Sequence, residues 1–229
     1  MAIVKIVSTQ GTSSSGSPTT SVDTTGANFI VGGVGTASGG GSVNFTDNKS
    51  NTFTQISQQS DANVPLTQAM SWCAAPTVGS GHTFSNALFY ECVQAIAFSG
   101  MHATPYDQSN GSVSGAAVTS FAAGSITPTV DGCLIVAHIA FGVNVDVSTV
   151  VVPSGFTLEL DNTALTGVVE GAIAWMVQTT AAAINPSWSW TTADRAAATV
   201  ASFKPSVAAP TTSLTPRRGG ASFKNLFSM

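Results

Sequence analysis

Residues 131–141 read DGCLIVAHIAF, and residues 26–36 read GANFIVGGVGT. Each stretch passes from turn-forming residues into a short apolar run, residues 29–31 (FIV) in one and 134–136 (LIV) in the other. The offset between Ile30 and Ile135 is 135 − 30 = 105 positions. Short apolar runs bounded by turn residues are typical of β-strands. The two stretches therefore predict two copies of one strand.

Four further pairs of short segments keep the same order at nearly the same spacing: residues 53–54 with 156–157, 70–72 with 173–175, 82–84 with 188–190, and 95–98 with 200–203. Random placement of apolar residues would rarely give five ordered matches. A period near 100 residues is too long for solenoids or propellers, whose repeats span about 20–50 residues. We expect two copies of one strand–hairpin unit, at about residues 28–100 and 131–205.

The spacing of the apolar runs predicts the fold class. Twelve candidate strands follow one another at the intervals expected of antiparallel sandwiches: residues 29–34, 42–46, 52–57, 67–74, 82–87, 92–98, 126–130, 134–141, 156–160, 172–178, 187–190 and 197–203. No segment has a sustained, capped helical periodicity. We predict an all-β, jelly-roll-like antiparallel β-sandwich with an internal two-fold repeat and little helix.

The domain organisation leaves two alternatives. Each half could be a small independent sandwich, or the halves could interleave as two Greek-key units of one sandwich. We favour one sandwich over residues 26–205, because each half offers only five or six strands. Residues 1–25 then form an N-terminal strand and a Ser/Thr/Gly-rich arm, and residues 206–229 an extended C-terminal tail.

Composition and charge exclude several classes of protein. The chain of 229 residues is 43% hydrophobic and only 8% charged, which is unlike a disordered protein. No apolar run approaches the ~20 residues of a membrane-spanning helix. Before residue 205 there are four cations against 11 acids, so 4 − 11 = −7. Without a basic stripe we expect neither nucleic acid nor membrane as a partner.

The N-terminal residues and the cysteines predict the compartment of synthesis. Residues 1–8 (MAIVKIVS) lack the long apolar segment and cleavage site of a signal peptide. An odd number of cysteines without metal or disulfide spacing is typical of a reducing cytoplasm. We expect the chain to be made in a host cytoplasm.

The cysteines and histidines are candidates for reactive or metal-binding chemistry: Cys73, Cys92, Cys133, His82, His102 and His138. None of them has a neighbour at ligand spacing, so we expect no metal and no cofactor. The cysteines are interpreted as buried apolar residues. His138, inside an apolar strand, is expected to be a satisfied core imidazole, and His82 and His102 are expected at the surface.

Acidic residues and serines supply the remaining candidates for catalysis. Glu159, Asp161 and Glu170 form the only dense acidic region, which a glycosidase would need. Their positions at a strand end and a loop favour solvated charges. The spacing G-x-S-x-G does not occur, and residues 47–51 (DNKSN) indicate a turn rather than a calcium loop. We therefore expect no enzymatic activity, with a hydrolase as the weakest class.

Aromatic residues allow two interpretations. Trp72 and Trp175 recur at mid-strand and are expected to anchor the core. Trp188 and Trp190 share one strand face, because side chains alternate along a strand. They are interpreted as core residues, with a carbohydrate-stacking platform that includes Tyr106 as the alternative.

Several of these segments resemble a known group of proteins. Residues 131–136 (DGCLIV), 153–157 (PSGFT), 172–175 (AIAW), 188–190 (WSW) and 196–205 (AAATVASFKP), with residues 25–31 and 47–54 in the first half, are similar to β-sandwich modules of tailed-phage and prophage virion proteins. The resemblance covers about residues 25–205. It implies a non-enzymatic shell, fibre or tail component located in the virion, and it carries no functional-site motif.

The C-terminal tail has features of a docking segment. Its first part, residues 205–216, is rich in Pro, Ala and Thr and should be extended. Phe223, Leu226 and Phe227 then follow at spacings i, i+3 and i+4, next to Arg217, Arg218 and Lys224. We expect these six residues to dock on a partner.

Together these features predict a structural virion protein, namely a capsid decoration, head-fibre or tail-associated protein. Its expected partners are other virion proteins and further copies of itself. The alternative is a carbohydrate- or receptor-binding module that contacts a host-surface glycan.

Overall fold

A computed structural model describes residues 2–13, 18–37, 41–56, 58–86, 91–142, 145–161 and 169–206. The predicted all-β class is confirmed, since one turn of 3-10 helix at Val147–Thr149 is the only helical segment described. The strands are β1 (Val4–Ser13), β2 (Phe29–Thr36), β3 (Thr46–Asp47), β4 (Thr54–Gln55), β5 (Gln59–Asp61), β6 (Leu66–Ala74), β7 (Phe84–Ser85), β8 (Glu91–Ser99), β9 (Met101–Val113), β10 (Val118–Ala122), β11 (Cys133–Phe141), β12 (Thr157–Asp161), β13 (Glu170–Gln178), β14 (Ser187–Asp194) and β15 (Ala196–Pro205).

Two large antiparallel sheets form the centre of the molecule. The first sheet has the order β1-β8-β2-β6-β4, with β5 also paired to β6, and the second has the order β12-β13-β11-β15-β9. Two small sheets, β3-β7 and β10-β14, complete the described strands. The first sheet takes its strands from residues 4–99 and the second from residues 101–205. Each half therefore forms its own sheet, which differs from the interleaving of the halves that we expected.

Alternation along the strands explains how the two large sheets pack. In β2, Phe29 and Val31 point to one face, and Ile30 and Val34 point to the other. The first face meets the second sheet in a core that contains residues of both. Its buried members are Phe29, Val31, Ile56, Met70, Ile96, Phe98, Met101, Leu134, Val136, Ile173, Ala201 and Phe203.

The outer faces of the large sheets are also covered, which explains why the central strands are apolar on both sides. Phe45 and Phe84 pack on the outer face of the first sheet, next to β3 and β7. Trp188 and Trp190, on β14, pack on the outer face of the second. Strands buried on both faces read as continuous apolar runs, which is the pattern of β8, β11 and β15.

The two large sheets share one order and one register. Ile30 pairs with Cys73 and Ala97 in the first sheet, and Ile135 pairs with Met176 and Ser202 in the second. Each residue of the first set corresponds to one of the second at the offset found in the sequence, namely 135 − 30 = 105, 176 − 73 = 103 and 202 − 97 = 105. The two sheets therefore face each other with the same strand order and with registers that differ by these constant offsets.

The two edge strands β1 and β9 correspond in the same way. Lys5 pairs with Phe98 and Tyr106 with Phe203, and each ladder has an irregularity next to that pair. With the offset 203 − 98 = 105, Lys5 and Tyr106 occupy equivalent positions. By the same rule Ser8, opposite Ile96, corresponds to Ser109, opposite Ala201.

Gly100 is the single residue between β8 and β9, where the chain leaves the first sheet for the second. Its φ of +82° lies in the left-handed region that favours glycine. A Cβ there would lie 2.8 Å from the carbonyl carbon of Ala2. On its other side, Ser206 N donates to Gly100 O at 2.8 Å. The crossover thus lies beside both ends of the described chain.

Two polar strands were not predicted at their full length. Residues 1–25 were expected to form an N-terminal strand and a Ser/Thr/Gly-rich arm, and the strand, β1, extends as far as Ser13. Residues 101–113 (MHATPYDQSNGSV) were not among the candidate strands, yet they form β9. Both lie at sheet edges, where backbone pairing on one side is enough and the side chains can remain polar.

Candidate functional site

A buried hydrogen-bonded chain joins the N-terminal arm to two loops of the first half. His82 Nε2 donates to Asp47 Oδ2 at 2.8 Å, and His82 Nδ1 lies 2.8 Å from Thr24 Oγ1. Thr24 and His82 are fully buried, as is the side chain of Asp47. Asp47 Oδ1 also accepts from the backbone N–H groups of Lys49 and Asn51, at 3.1 and 2.9 Å. The predicted turn at residues 47–51 is thereby confirmed.

This chain has the connectivity of a hydroxyl–imidazole–carboxylate triad, but its burial points to a structural role. A nucleophile must reach its substrate, and the hydroxyl of Thr24 lies inside the protein and accepts from Gly79 N at 3.1 Å. The prediction that His82 is exposed was wrong. Its ring centroid lies 4.4 Å from that of Phe84. Through its two nitrogens the ring connects Thr24 of the arm with Asp47.

A second buried polar cluster lies between the two large sheets. Gln68 of the first sheet donates to His138 Nδ1 at 2.8 Å and accepts from Thr199 Oγ1 at 2.7 Å. Gln94 Nε2 donates to Gly171 O at 2.9 Å. His138 is buried as predicted, and burial lowers its pKa to about 3. A neutral imidazole therefore links the sheets, and its Nε2 has no hydrogen-bond partner among the described residues.

The three cysteines are buried, as predicted. Burial raises the pKa of Cys133 to about 11 and also raises the pKa of Cys73. A thiol with a raised pKa is a poor nucleophile at neutral pH. Among the described residues, His, Cys, Asp and Glu side chains nowhere gather in threes as a metal site requires.

Glu91 is a buried carboxyl group at the start of β8. It is fully buried, and Asn86 Nδ2 donates to its Oε2 at 2.9 Å. Burial raises its pKa to about 7, although the hydrogen bond from Asn86 acts in the opposite direction. In the folded protein this group therefore binds its proton more tightly than it does in an unfolded chain.

We predict that Glu91 makes the protein less stable as the pH rises. A carboxyl group with a raised pKa favours the folded state fully below its ordinary value of 4.5, and this contribution is lost as the pH rises through about 7. Allowing for screening, the loss should be about 1–3 kcal/mol between pH 5 and pH 8. Urea unfolding of the wild type and of Glu91→Gln at both pH values measures it. A pH dependence that is the same in both proteins would contradict the assignment.

One edge of the sandwich, where β1 lies over β12, is closed by an ion pair. Lys5 Nζ and Ser8 Oγ both donate to Glu159 Oε1 at 2.5 Å, and Trp175 Nε1 donates to Oε2 at 2.9 Å. Burial raises the pKa of Glu159. The hydrogen bonds from Lys5, Ser8 and Trp175 together lower it by more, so the net shift of the pKa is downward. The prediction that Glu159 is solvated was wrong, since its side chain is 7% exposed. Glu170 is also buried.

The equivalent edge, where β9 lies beside β4 and β5, is an open groove. Trp72 corresponds to Trp175, Tyr106 to Lys5 and Ser109 to Ser8. The rings of Trp72 and Tyr106 are stacked, with centroids 6.1 Å apart and an interplanar angle of 5°. Tyr106 is 41% exposed, and its hydroxyl lies 2.9 Å from Ser109 Oγ.

The groove consists of two adjoining cavities. The cavity above Trp72 and Tyr106 has a volume of about 260 Å³ and continues along Thr54 and Gln55. The second cavity, of about 180 Å³, shares Ile56 and Ser109 with the first and adds the residues Gln59, Asn110, Gly111 and Thr199. The described residues that line the two cavities are all uncharged. The groove thus combines an aromatic surface with amide and hydroxyl groups.

The candidate residues from the sequence are distributed unevenly over this structure. Trp188 and Trp190 are 1% and 4% exposed, which agrees with their interpretation as core residues and leaves only Tyr106 of the glycan platform at the surface. His102 lies at the surface, where its Nδ1 accepts from Thr104 N at 3.0 Å. The six tail residues predicted to dock on a partner, Arg217, Arg218, Phe223, Lys224, Leu226 and Phe227, lie outside the described residues.

Sequence reasoning missed the groove because one of its sides is formed by β9, a strand that was not assigned. Trp72 was interpreted as a core anchor, and β9 was not predicted. Tyr106 and Ser109 both lie on the face of β9 toward Trp72 of the first sheet, and the irregularity at residue 107 hides this from the sequence pattern. The repeat offered the one available signal, since Trp72 and Trp175 correspond.

Comparison with protein-family models, with curated proteins and with solved structures gives no match. None of the described segments is a helix of the length and apolarity needed to cross a membrane. The assignment of function therefore depends on the geometry of this chain.

Proposed function

We propose that this chain is a structural, non-enzymatic component of a phage particle. The proposal depends on one observation, namely that several ionisable groups of the chain are buried and hydrogen-bonded inside it. His82, His138, Asp47 and Glu159 are all buried in contacts that join loops, strands or sheets. Groups used in this way stabilise a scaffold. The likeness of residues 25–205 to phage virion modules supports the same role.

In this proposal the sandwich is a rigid body and the terminal extensions attach it to its neighbours. The position in the particle is that of a capsid decoration, head-fibre or tail-associated protein, and the partners are other virion proteins and further copies of the chain. An acidic body with a basic tail suits docking, because the net charge of −7 before residue 205 on one copy attracts the net charge of +3 after it on another.

We expect the oligomeric state to depend on the tail. Light scattering after size exclusion should be measured on the full chain and on a chain that ends at Ser206, which keeps all of β15. The full chain should form a defined oligomer that dissociates when the tail is removed. A full-length triple variant, Phe223→Ser with Leu226→Ser and Phe227→Ser, should dissociate in the same way, while Val207→Ser serves as a control.

Two outcomes would contradict this function. A monomer in every form would show that the tail does not mediate self-assembly. Mass spectrometry of purified particles from the strain that carries the gene should detect the protein at a fixed copy number. Its absence from the particles would contradict a structural role in the virion.

A further inference from the structure

At the groove, corresponding edges of the two large sheets differ in chemistry. At the β1 edge, the space over Trp175 is closed by Lys5, Ser8 and Glu159. At the β9 edge, Tyr106 stands where Lys5 stands. Glu159 lies at an irregularity of β12, between the pairs Leu158–Ala174 and Leu160–Ile173, and the residue at the offset 159 − 56 = 103 on the other edge is the apolar Ile56. An ion pair locks one edge, whereas the other edge retains an exposed aromatic ring and open volume.

The exposed aromatic ring determines what can bind. Trp72 is stacked between Phe29, at 6.3 Å, and Tyr106, at 6.1 Å, so the stack is held in place from the core outward. Tyr106 also contacts Phe203, at a centroid distance of 6.4 Å. A ring held in this way offers a rigid apolar face at little cost in conformational entropy. A flat ligand with an apolar face would pack there.

The remaining lining determines the polarity of the ligand. Gln55, Gln59 and Asn110 carry amides, and Thr54 and Ser109 carry hydroxyls, so donors and acceptors are both present. The described lining residues carry no charge, so a charged ligand would lose hydration without gaining an ion pair from them. A sugar ring has one face of C–H groups and a rim of neutral hydroxyls, and it fits both features.

We propose that the groove between β9 and the β4–β5 edge binds a neutral oligosaccharide, with a sugar ring packed on Tyr106 and its hydroxyls bonded to the amides beyond Ser109. Together the two cavities run past more than one sugar position, so a chain of sugars is favoured over a single one. This inference goes beyond the structural role proposed above and does not depend on it.

The test is isothermal titration calorimetry of the full chain with three neutral probes, maltohexaose, cellohexaose and chitohexaose, and one acidic probe, a hyaluronan hexasaccharide. We expect at least one neutral probe to bind with one site per chain and the acidic probe not to bind. Tyr106→Ala should weaken binding at least tenfold, and Tyr106→Phe should weaken it less, because it keeps the ring.

The matched control is Ser8→Ala, the counterpart of Ser109→Ala at the closed edge. Ser8→Ala should leave binding unchanged, whereas Ser109→Ala should weaken it severalfold. Gln55→Ala and Asn110→Ala, at two exposed positions, provide further variants if Tyr106→Ala does not fold by circular dichroism. The proposal is overturned if no neutral probe binds, if the acidic probe binds as well, or if the groove variants bind like the wild type. None of these outcomes bears on the oligomeric state.

Discussion

Gly33→Ala is expected to lower the free energy of unfolding by about 2–4 kcal/mol, although it adds only one methyl group. Gly33 lies in the middle of β2 and faces the second sheet. A Cβ at this position would lie 2.5 Å from Cγ of His138 and closer still to Cδ2. The ring of His138 is fully buried and bonded to Gln68, so it cannot move aside without breaking that bond. Urea unfolding followed by circular dichroism measures the loss.

A double-mutant cycle shows whether the ring is the cause. His138→Ala removes the atoms that the new methyl group would strike, and it has its own cost because it leaves a cavity and an unpaired amide on Gln68. The double variant should therefore be more stable than the sum of the two single effects predicts, by at least about 1 kcal/mol. Simple additivity would show that the cost at residue 33 has another origin.

Asp47→Ala is expected to cost about 3–5 kcal/mol, the range for breaking a buried charged network by removing one partner. The change would leave His82 Nε2, the amide of Asn51 and two backbone N–H groups without their acceptor. These groups are wholly or partly buried, so water replaces the lost bonds poorly. Denaturant unfolding at pH 7 measures the change.

Asp146→Ala is the matched control for this variant. Asp146 accepts from Ser148 N at 3.0 Å in a similar turn, but it is exposed, so its loss should cost less than about 1 kcal/mol. Burial raises the pKa of Asp47, but the bonds from Asn51 and His82 outweigh it and lower the pKa below 3.8. Its contribution is thus present above pH 3.8 and lost as the pH falls through the lowered pKa. Equal costs at the two positions would contradict the importance of burial.

The sequence predicts the central strands. Apolar runs buried on both faces are recognisable without a structure, and eight of the twelve candidate strands overlap β2, β6, β8, β11, β12, β13, β14 and β15. The offsets of 105 and 103 also anticipate the register, because the pair Ile30–Cys73 maps onto Ile135–Met176. What the repeat does not show is that each half builds its own sheet, since strand order in space depends on the connections between the strands.

The polar features were less predictable, for physical reasons. β9 is rich in polar residues and Tyr106 is its one Phe, Tyr or Trp residue, because an edge strand needs backbone pairing more than apolar side chains. His82 and Glu159 were expected in water because single charged or titratable residues usually lie there. Their burial depends on partners 35 and 154 positions away, Asp47 and Lys5. Partners at such distances along the chain leave no local pattern.

The position of Gly100 has a consequence for how the molecule can be held. Ala2 and Ser206 lie on either side of this residue, so the two termini of the sandwich emerge together at one pole. Anything covalently attached before residue 2 or after residue 206 therefore pulls on the same end. A sandwich that is attached through residues beyond Ala2 or Ser206 would therefore present the end opposite Gly100 to its surroundings.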